Sequence, residues 1–332
     1  MNALFDVTAI GNAIVDVIAP ATETFLGGEG LTKGAMILID EARATSLYGR
    51  MAPGVEASGG SAANTVAGLA NFGGRAAFIG KVAKDELGDI YAHDIRATGA
   101  RFETAALVGG PATARCLINV TPDGQRTMCT YLGACVELTE ADVAPELIEA
   151  AQIVFLEGYL FDPAEARLAF AKAAGLARAS GRKIALSLSD SFVVERHRHA
   201  LLGFIESQVD ILLANESEIT ALFETSSFDQ ALQEIRGRVE IAALTRGAGG
   251  SVVIAAGSEH LVAAEPVDRL IDTTGAGDQY AAGFLFGLAA GHPLAQCGEL
   301  GSLAAAEVIG HYGPRPATSL RDIATTRGLI TA

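Results

Sequence analysis

The sequence predicts an α/β fold: a mostly parallel sheet covered by helices, with a small β-rich lid beside it. Three observations predict it. Between residues 140 and 250, short apolar runs alternate with segments of helical period, the pattern of a parallel sheet with right-handed crossovers. Residues 105–131 interrupt that pattern with two β-rich runs around a hairpin turn. Near the C-terminus, Asp272-Thr-Thr-Gly-Ala-Gly-Asp278 forms a sharp turn that opens into an apolar helix.

Taken in order, 5–10 is a short apolar strand that runs into Gly11-Asn12-Ala13-Ile14-Val15-Asp16. Asn12 and Asp16 bracket an apolar turn, a pattern that also suits a solvated loop end. Residues 32–40 read as a second strand, followed by a loop at Pro53-Gly54. Gly59-Gly60-Ser61-Ala-Ala-Asn64 then leads into a helix over 61–72, with Ser61 as its cap and Ala62, Val66, Leu69 and Ala70 as a buried stripe. The two glycines allow a substrate close to the backbone. Strand 76–80 and helix 85–98 complete a β-α unit.

The hairpin pairs 113–120 with 126–131 across Thr121-Pro-Asp-Gly124 and, with strand 35–39, makes the lid. The alternation then follows: helix 140–150, strand 152–156, helix 163–180, strand 183–188, helix 191–206, strand 209–214. Asn215-Glu-Ser-Glu218 stands at a strand's carboxyl end, where ligands gather in such sheets, although acidic residues opening a helix also complement its dipole. Helices near 217–223 and 227–236, strand 240–244, the Gly-rich turn Thr245-Arg246-Gly247-Ala-Gly-Gly250 and hairpin 251–263 come next. The alanine-rich helix 294–309 ends before Gly310 and the turn Gly313-Pro-Arg-Pro316. His197 and His199 read as a charged helix face, because no third metal ligand is spaced near them.

Bulk properties narrow the function. Half of the 332 residues are hydrophobic, enough for a large core, and the chain reads as one domain over 1–332 with lid segments at about 12–58 and 105–135. Twenty-four Lys and Arg against 39 Asp and Glu leave a net charge of −15, which suits neither nucleic acid nor an anionic membrane. A local anion hole with a metal ion could still hold a nucleotide. The cysteines (Cys116, Cys129, Cys135 and Cys297) lack C-x-x-C spacing and read as reduced thiols. The N-terminal segment lacks a basic stretch, and no apolar run reaches the roughly 20 residues that span a bilayer. The expectation is a cytoplasmic protein, monomer or homodimer, with a small-molecule partner.

The chemistry concentrates at 272–284. Gly275 and Gly277 permit tight backbone, Asp278 reads as the helix N-cap, and a helix N-terminus offers free N–H groups to a phosphate or a developing anion. A carboxylate there repels a ground-state phosphate but is suited to taking or orienting a hydroxyl proton beside it. The combination suggests phosphoryl transfer. No G-x-x-x-x-G-K-[ST] loop occurs, and the dinucleotide fingerprint fails where Tyr280 replaces its third glycine.

The string D-T-T-G-A-G-D resembles the signature of the ribokinase-like (PfkB) carbohydrate and nucleoside kinases. Gly59-Gly60-x-x-x-Asn64 with Gly73-Gly74 and Ile79-Gly80-Lys81-Val82 resembles the family's N-terminal signature. Asn215-x-x-Glu218 and Thr245-x-Gly247-x-x-Gly250 resemble its nucleotide-side motifs, so the likeness spans residues 5–316. It implies a doubly wound α/β domain with helices on both faces of the sheet, a β lid, and ATP as donor. It also implies Asp278 as base, and Gly275, Ala276 and Gly277 as the anion hole. Glu218 and Asn215 would organise Mg²⁺ through water, Thr245, Arg246, Gly247 and Gly250 would lie along the nucleotide, and Ala305 would pack by adenine. A monovalent cation is left open.

Ser61 stands where ribokinases carry lysine. Gly11-Asn12-x-x-x-Asp16 and Leu186-Ser187-Leu188-Ser189-Asp190-Ser191-Phe192 look more like adenosine kinases, although that group prefers Asn at Ser187 and Pro at Ser191. The expected acceptor is therefore a ribonucleoside, adenosine first, with a free pentose or hexose derivative as the alternative and a non-catalytic binder behind both. Asn12, Asp16, Gly59, Gly60 and Asn64 would hold the sugar. Leu38, and Tyr159 with Phe161, would sandwich a purine.

Overall fold

The structure, a computed structural model, describes residues 3–331. Its larger sheet has nine strands in the order Ser258–Val262, Ser251–Ala255, Ile241–Thr245, Ile211–Asn215, Lys183–Ser187, Ala151–Glu157, Phe5–Ile10, Ala76–Ile79 and Arg101–Phe102. The seven strands from Ile241–Thr245 to Arg101–Phe102 are mutually parallel, and the hairpin 251–262 extends one edge antiparallel. Helices cover both faces, which explains why these strands are apolar throughout. Along Lys183–Ser187, Ile184 and Leu186 enter one core with Phe161 and Phe170, whereas Ala185 enters the other with Phe155 and Phe284. Each fully buried side chain of this size contributes roughly 1.5–3 kcal/mol, so neither layer is dispensable. A third cluster, Phe72 with Leu300, Leu303 and Leu320, docks the C-terminal helix.

The smaller sheet has five strands in the order Met36–Leu38, Arg126–Tyr131, Ala114–Val120, Ile14–Pro20 and Val55–Gly59. The hairpin pairs as its turn residues predict, Val120 opposite Arg126 and Arg115 opposite Tyr131. The apolar stretch expected to turn at Asp16 is instead a strand. Val15, Val17 and Ala19 are buried and alternate with half-buried Ile14, Asp16 and Ile18, a two-residue period. The strand expected over 32–40 shortens to Met36–Leu38, because Ala35 N–H closes a turn onto Thr32 O at 3.1 Å and Gly34 has φ +78°.

Further differences have local causes. Helix 140–150 is split: a 3₁₀ turn at Glu140–Asp142 is closed by Thr139 and Asp142, and a fresh helix Pro145–Glu149 starts with proline in its first position. The helix Ser191–Gln208 bends at His197, whose φ is −118°. Short helices at Glu23–Gly28, Glu41–Tyr48 and Leu320–Thr326 add to those expected; each is capped by Thr22, Asp40 or Ser319. The four cysteines are free and buried. Among the described residues no helix is long and apolar enough to cross a membrane.

The parallel strands deliver their carboxyl ends to one edge. Glu157 lies opposite Ser187, and Asn215 opposite Thr245. The small sheet supplies Asp16 and Gly59 to the same region.

Candidate active site

Asp278 is held from across the fold. The helix Ala276–Ala289 has Gly275, not Asp278, as its N-cap; φ at Gly275 is +79°, and Asp278 sits in the third helical position. A Cβ at Gly275 would lie 2.6 Å from Pro314 Cα, so both conformation and space require glycine there. With Ala276 N–H bonded to Thr273 O and Gln279 N–H to Gly275 O, the N–H groups of Gly277 and Asp278 lack a carbonyl one turn back. These are the donors an anion would meet. Ser61 Oγ donates to Asp278 Oδ1 at 2.6 Å, and Asn64 Nδ2 donates to Oδ2 at 3.0 Å. Ser61 thus occupies the carboxylate directly rather than capping its own helix. Burial raises the Asp278 carboxyl above the usual range, against the pull of both bonds.

Gln279 locks this arrangement. Its Nε2 donates to Asn64 O at 3.0 Å and to Pro314 O at 2.9 Å, tying both helix starts to the 313–316 turn. Gly68 makes the room, since any Cβ there would overlap Gln279 Oε1. Asp272, the first residue of the motif, accepts from Thr274 N–H (3.0 Å), Thr274 Oγ1 (2.8 Å) and Gly313 N–H (3.1 Å). Arg126 of the small sheet reaches the same carboxylate, with Nη2 2.5 Å from Asp272 Oδ2. Arg126 is buried, and none of its guanidinium nitrogens makes a well-aligned hydrogen bond among the described residues.

On the small-sheet side, Asn12 Nδ2 donates to Glu157 Oε1 at 2.9 Å, and Ala62 N–H donates to Oε2 at 2.8 Å. Burial pushes Glu157 up to about 7, against the bonds from Ala62 and Asn12. Asn12 Oδ1 is buried and unpartnered. Gly60 has φ +100°, and a Cβ there would overlap Asn12 O. A Cβ at Gly59 would overlap the Asp16 carboxylate in the same way. The Asp16 side chain has no hydrogen-bond partner among the described residues. Burial pushes it up to about 7; the charges of Arg315 and Arg126 oppose the rise and that of Asp278 adds to it.

Two cavities meet at Gly277. One, of about 620 Å³, is lined by Thr245, Gly247, Gly250, Leu270, Ala305 and Ile309, together with Gly277 and Tyr280. Its size and apolar lining suit a bound nucleotide. The narrower one, of about 80 Å³, is lined by Ser61, Asn215, Glu218 and Asp278, and shares Thr245, Gly277 and Tyr280 with the first. Asn215 and Glu218 form a capping box: Asn215 Nδ2 and N–H donate to the carboxylate at 2.6 and 2.9 Å. Burial pushes Glu218 up to about 7. Among the described residues no three His, Cys, Asp or Glu side chains cluster to cage a metal.

Three expected positions differ. Arg246 turns outward, 4.2 Å over the Phe228 ring and 3.3 Å from Glu216, and does not line the nucleotide-sized cavity. Phe161 is core, edge-on to Phe170 and Phe204, so it cannot face a purine. Leu38 stands 63% exposed on the outermost strand of the small sheet. Tyr159 is half-buried in the turn after Ala151–Glu157; burial raises its hydroxyl, and the charges of Asp190, Glu157, Asp278 and Glu218 raise it further.

The model of the pfkB family carbohydrate kinases matches residues 30–320. The chain belongs to the pfkB family. Adenosine kinase from Sinorhizobium meliloti is 51% identical, with a TM-score of 0.91 over 98% of this chain and 100% of its own. A probable sugar kinase from Rhizobium etli is 48% identical, with a TM-score of 0.92 over 99% and 100%. An E. coli protein solved with ATP and Mg²⁺ shares the fold at 20% identity, with a TM-score of 0.81 over 98% and 99%. The pfkB kinase is thus a phosphotransferase with the doubly wound fold expected of it.

Sequence reasoning missed Glu157, Arg126, Asp94 and Arg315 in this kinase. Glu157 carried a usable signal, a carboxylate ending an otherwise apolar strand. Arg126 opens a strand of the small sheet and Asp94 lies on a helix of ordinary charge, so neither differs in pattern from a surface residue.

Proposed function

We propose that this pfkB kinase transfers the terminal phosphoryl group of ATP to the 5′-hydroxyl of adenosine. The observation that carries the reading is the position of Asp278 between two unsatisfied sets of groups. On one side stand groups that seek hydroxyls, the half-buried Asp16 carboxylate, which accepts no hydrogen bond among the described residues, and the buried, unpartnered Asn12 Oδ1. On the other stand the N–H groups at the start of Ala276–Ala289, which seek an anion. A ribose diol between Asp16, Asn64 and Gly60 would bring its 5′-hydroxyl toward Asp278, which accepts the proton as the phosphoryl group arrives. The adenine of ATP would occupy the cavity beside Ala305 and Ile309. Mg²⁺, when bound, neutralises phosphate charge, and Glu218 with Asn215 would hold it through its waters. Closure of the small sheet over the acceptor would exclude competing water. The likeness to the S. meliloti adenosine kinase supports the choice of acceptor.

A free sugar is the second reading. Phe161 in the core removes one of the apolar groups expected to stack on a purine, and this favours a smaller acceptor. The likeness to the probable sugar kinase from R. etli points the same way. Coupled measurement of ADP release over adenosine, 2′-deoxyadenosine, other nucleosides, ribose and fructose separates the two. Adenosine should give the highest kcat/KM, by orders of magnitude over ribose. A free sugar turned over faster than adenosine at equal concentration overturns the proposal in favour of the second reading.

A further inference from the structure

Arg315 belongs to the turn Gly313-Pro-Arg-Pro316 after the helix Leu294–Ile309, to which the sequence assigned no role. Its Nη1 donates to Asp94 Oδ2 at 2.9 Å, and its Nε donates to Asn64 Oδ1 at 3.4 Å. Asp94 is itself fixed: it accepts from Ser58 N–H at 2.7 Å and from the Ser58 hydroxyl. Ser58 adjoins Gly59, whose missing Cβ makes room for Asp16. One chain of contacts therefore runs from the small sheet through Asp94 and Arg315 to Asn64, and on to Asp278.

The chain fixes the Asn64 amide. An amide whose oxygen faces a guanidinium must present its NH₂ the other way, and that NH₂ is the group that meets Asp278. The remaining terminal nitrogen of Arg315, Nη2, is buried without a partner. Asp16, whose carboxylate also lacks one, is drawn down by Arg315 more than by any other charge. Arg315, bonded to the Asp94 that holds Ser58, and Asp16, packed against the neighbouring Gly59, thus border one end of the site with opposite charges. A hydroxyl group, donor and acceptor at once, satisfies both.

We propose that Arg315 is a positioning and specificity residue for the acceptor: it fixes the Asn64 amide against Asp278 and, opposite Asp16, takes one secondary hydroxyl of the acceptor. The inference rests on the reading of Asp278 and Asp16 above, but not on the acceptor being adenosine.

The test uses the full chain carrying Arg315→Met or Arg315→Lys. The acceptor is whichever compound of the panel the wild type turns over best, paired with its analogue lacking one secondary hydroxyl. A sugar winning that panel would overturn the adenosine reading and leave this test intact. The Met variant should raise the acceptor KM about 10- to 100-fold, the loss of a charged hydrogen bond, while the ATP KM stays within about 2-fold. The penalty should largely vanish on the deoxy analogue whose missing hydroxyl is the one shared with Asp16. The acid limb of kcat/KM should also move to higher pH. Asp16 is faced by Arg315, Arg126, Asp278, the Cys116 thiol and the Tyr91 hydroxyl, and losing Arg315 removes its strongest counter-charge. The Lys variant should restore the limb, because charge suffices for that, but keep a hydroxyl-dependent KM penalty, because one ammonium cannot span Asp94, Asn64 and the acceptor. If the Met variant does not fold, the Lys variant alone carries the hydroxyl comparison. Equal penalties on acceptor and deoxy analogue, or ATP and acceptor KM rising together, would reduce Arg315 to a structural role and overturn the proposal.

Discussion

Asp278→Asn separates chemistry from architecture at this site. The substituted amide keeps the shape of the carboxylate, and the surroundings decide how it sits. Asn64 cannot turn over, since its oxygen faces Arg315 Nε, so the introduced amide must present its own oxygen to Asn64 Nδ2. Its NH₂ then meets Ser61, whose hydroxyl rotates from donating to accepting. No bond need be lost. What is lost is the base, and removal of a general base costs about 10²–10⁴ in kcat, or about 3–5 kcal/mol on the barrier. Stability should move the other way, because the half-buried charge of Asp278 is unfavourable in the folded state, as its raised pKa indicates. ADP release measures kcat, equilibrium titration measures ATP affinity, and a thermal melt measures Tm. The expected result is a collapse of kcat with unchanged ATP affinity and a Tm no lower than wild type. A kcat within a few-fold of wild type would refute Asp278 as base, and a fall in Tm with loss of ATP binding would refute the isosteric argument.

Other outcomes follow from the same geometry. Asp16, pushed up to about 7, must be ionised to accept from both hydroxyls of a diol, so kcat/KM for the acceptor should fall as pH drops through about 7; a profile flat from pH 6 to 8 contradicts this. Gly60→Ala forces a side chain into φ +100° against Asn12 O, which should cost about 1–3 kcal/mol in urea denaturation before the overlap is counted and should also weaken acceptor binding; an unchanged urea midpoint would show that the backbone there yields. Glu218→Gln should raise the Mg²⁺ concentration for half-maximal rate, and an identical Mg²⁺ titration removes Glu218 from the metal's surroundings. Glu157 binds its proton more tightly folded than unfolded, so its charge lowers stability as pH rises from about 4.5 to about 7, by up to about 3 kcal/mol. Urea midpoints at pH 5.5 and 7.5 should therefore diverge less in Glu157→Gln than in wild type.

The parts of this fold that depend on local rules were legible. The strands 5–10, 183–188 and 209–214 are apolar because both faces are covered, and their ends fell within a residue or two. The hairpin 113–131 followed from its turn. What failed involved competing local signals. Ile14–Pro20 has a two-residue period, but Asp16 on its cleft-facing side reads as a break, because a carboxylate in a strand makes sense only once a ligand side is known. Asp278 looked like an N-cap because Asp favours that position, whereas Gly275, with its positive φ, takes it and shifts the carboxylate one turn inward. In the site, the residues that hold the motifs together carried no signal in the sequence. Gln279 and Arg315 act over 215 and 251 positions to reach Asn64, and no spacing rule covers such distances.

The same contrast explains why the site carries so much unfavourable charge. Asp16, Glu157, Glu218 and Asp278 all have carboxyls raised chiefly by burial, and all border the cleft where strand ends and small sheet converge. A fold selected for stability alone would expose or pair them. Here Arg126 and Arg315 oppose Asp16, and both keep nitrogens unpartnered among the described residues. Adding a full counter-ion for every acid would lower each pKa and stabilise the apo protein. It would also occupy the donors and acceptors that hydroxyls and phosphates must find, and it would weaken Asp278 as a base. The residual imbalance is therefore the condition under which binding an acceptor, a nucleotide and a hydrated cation gains more than it displaces.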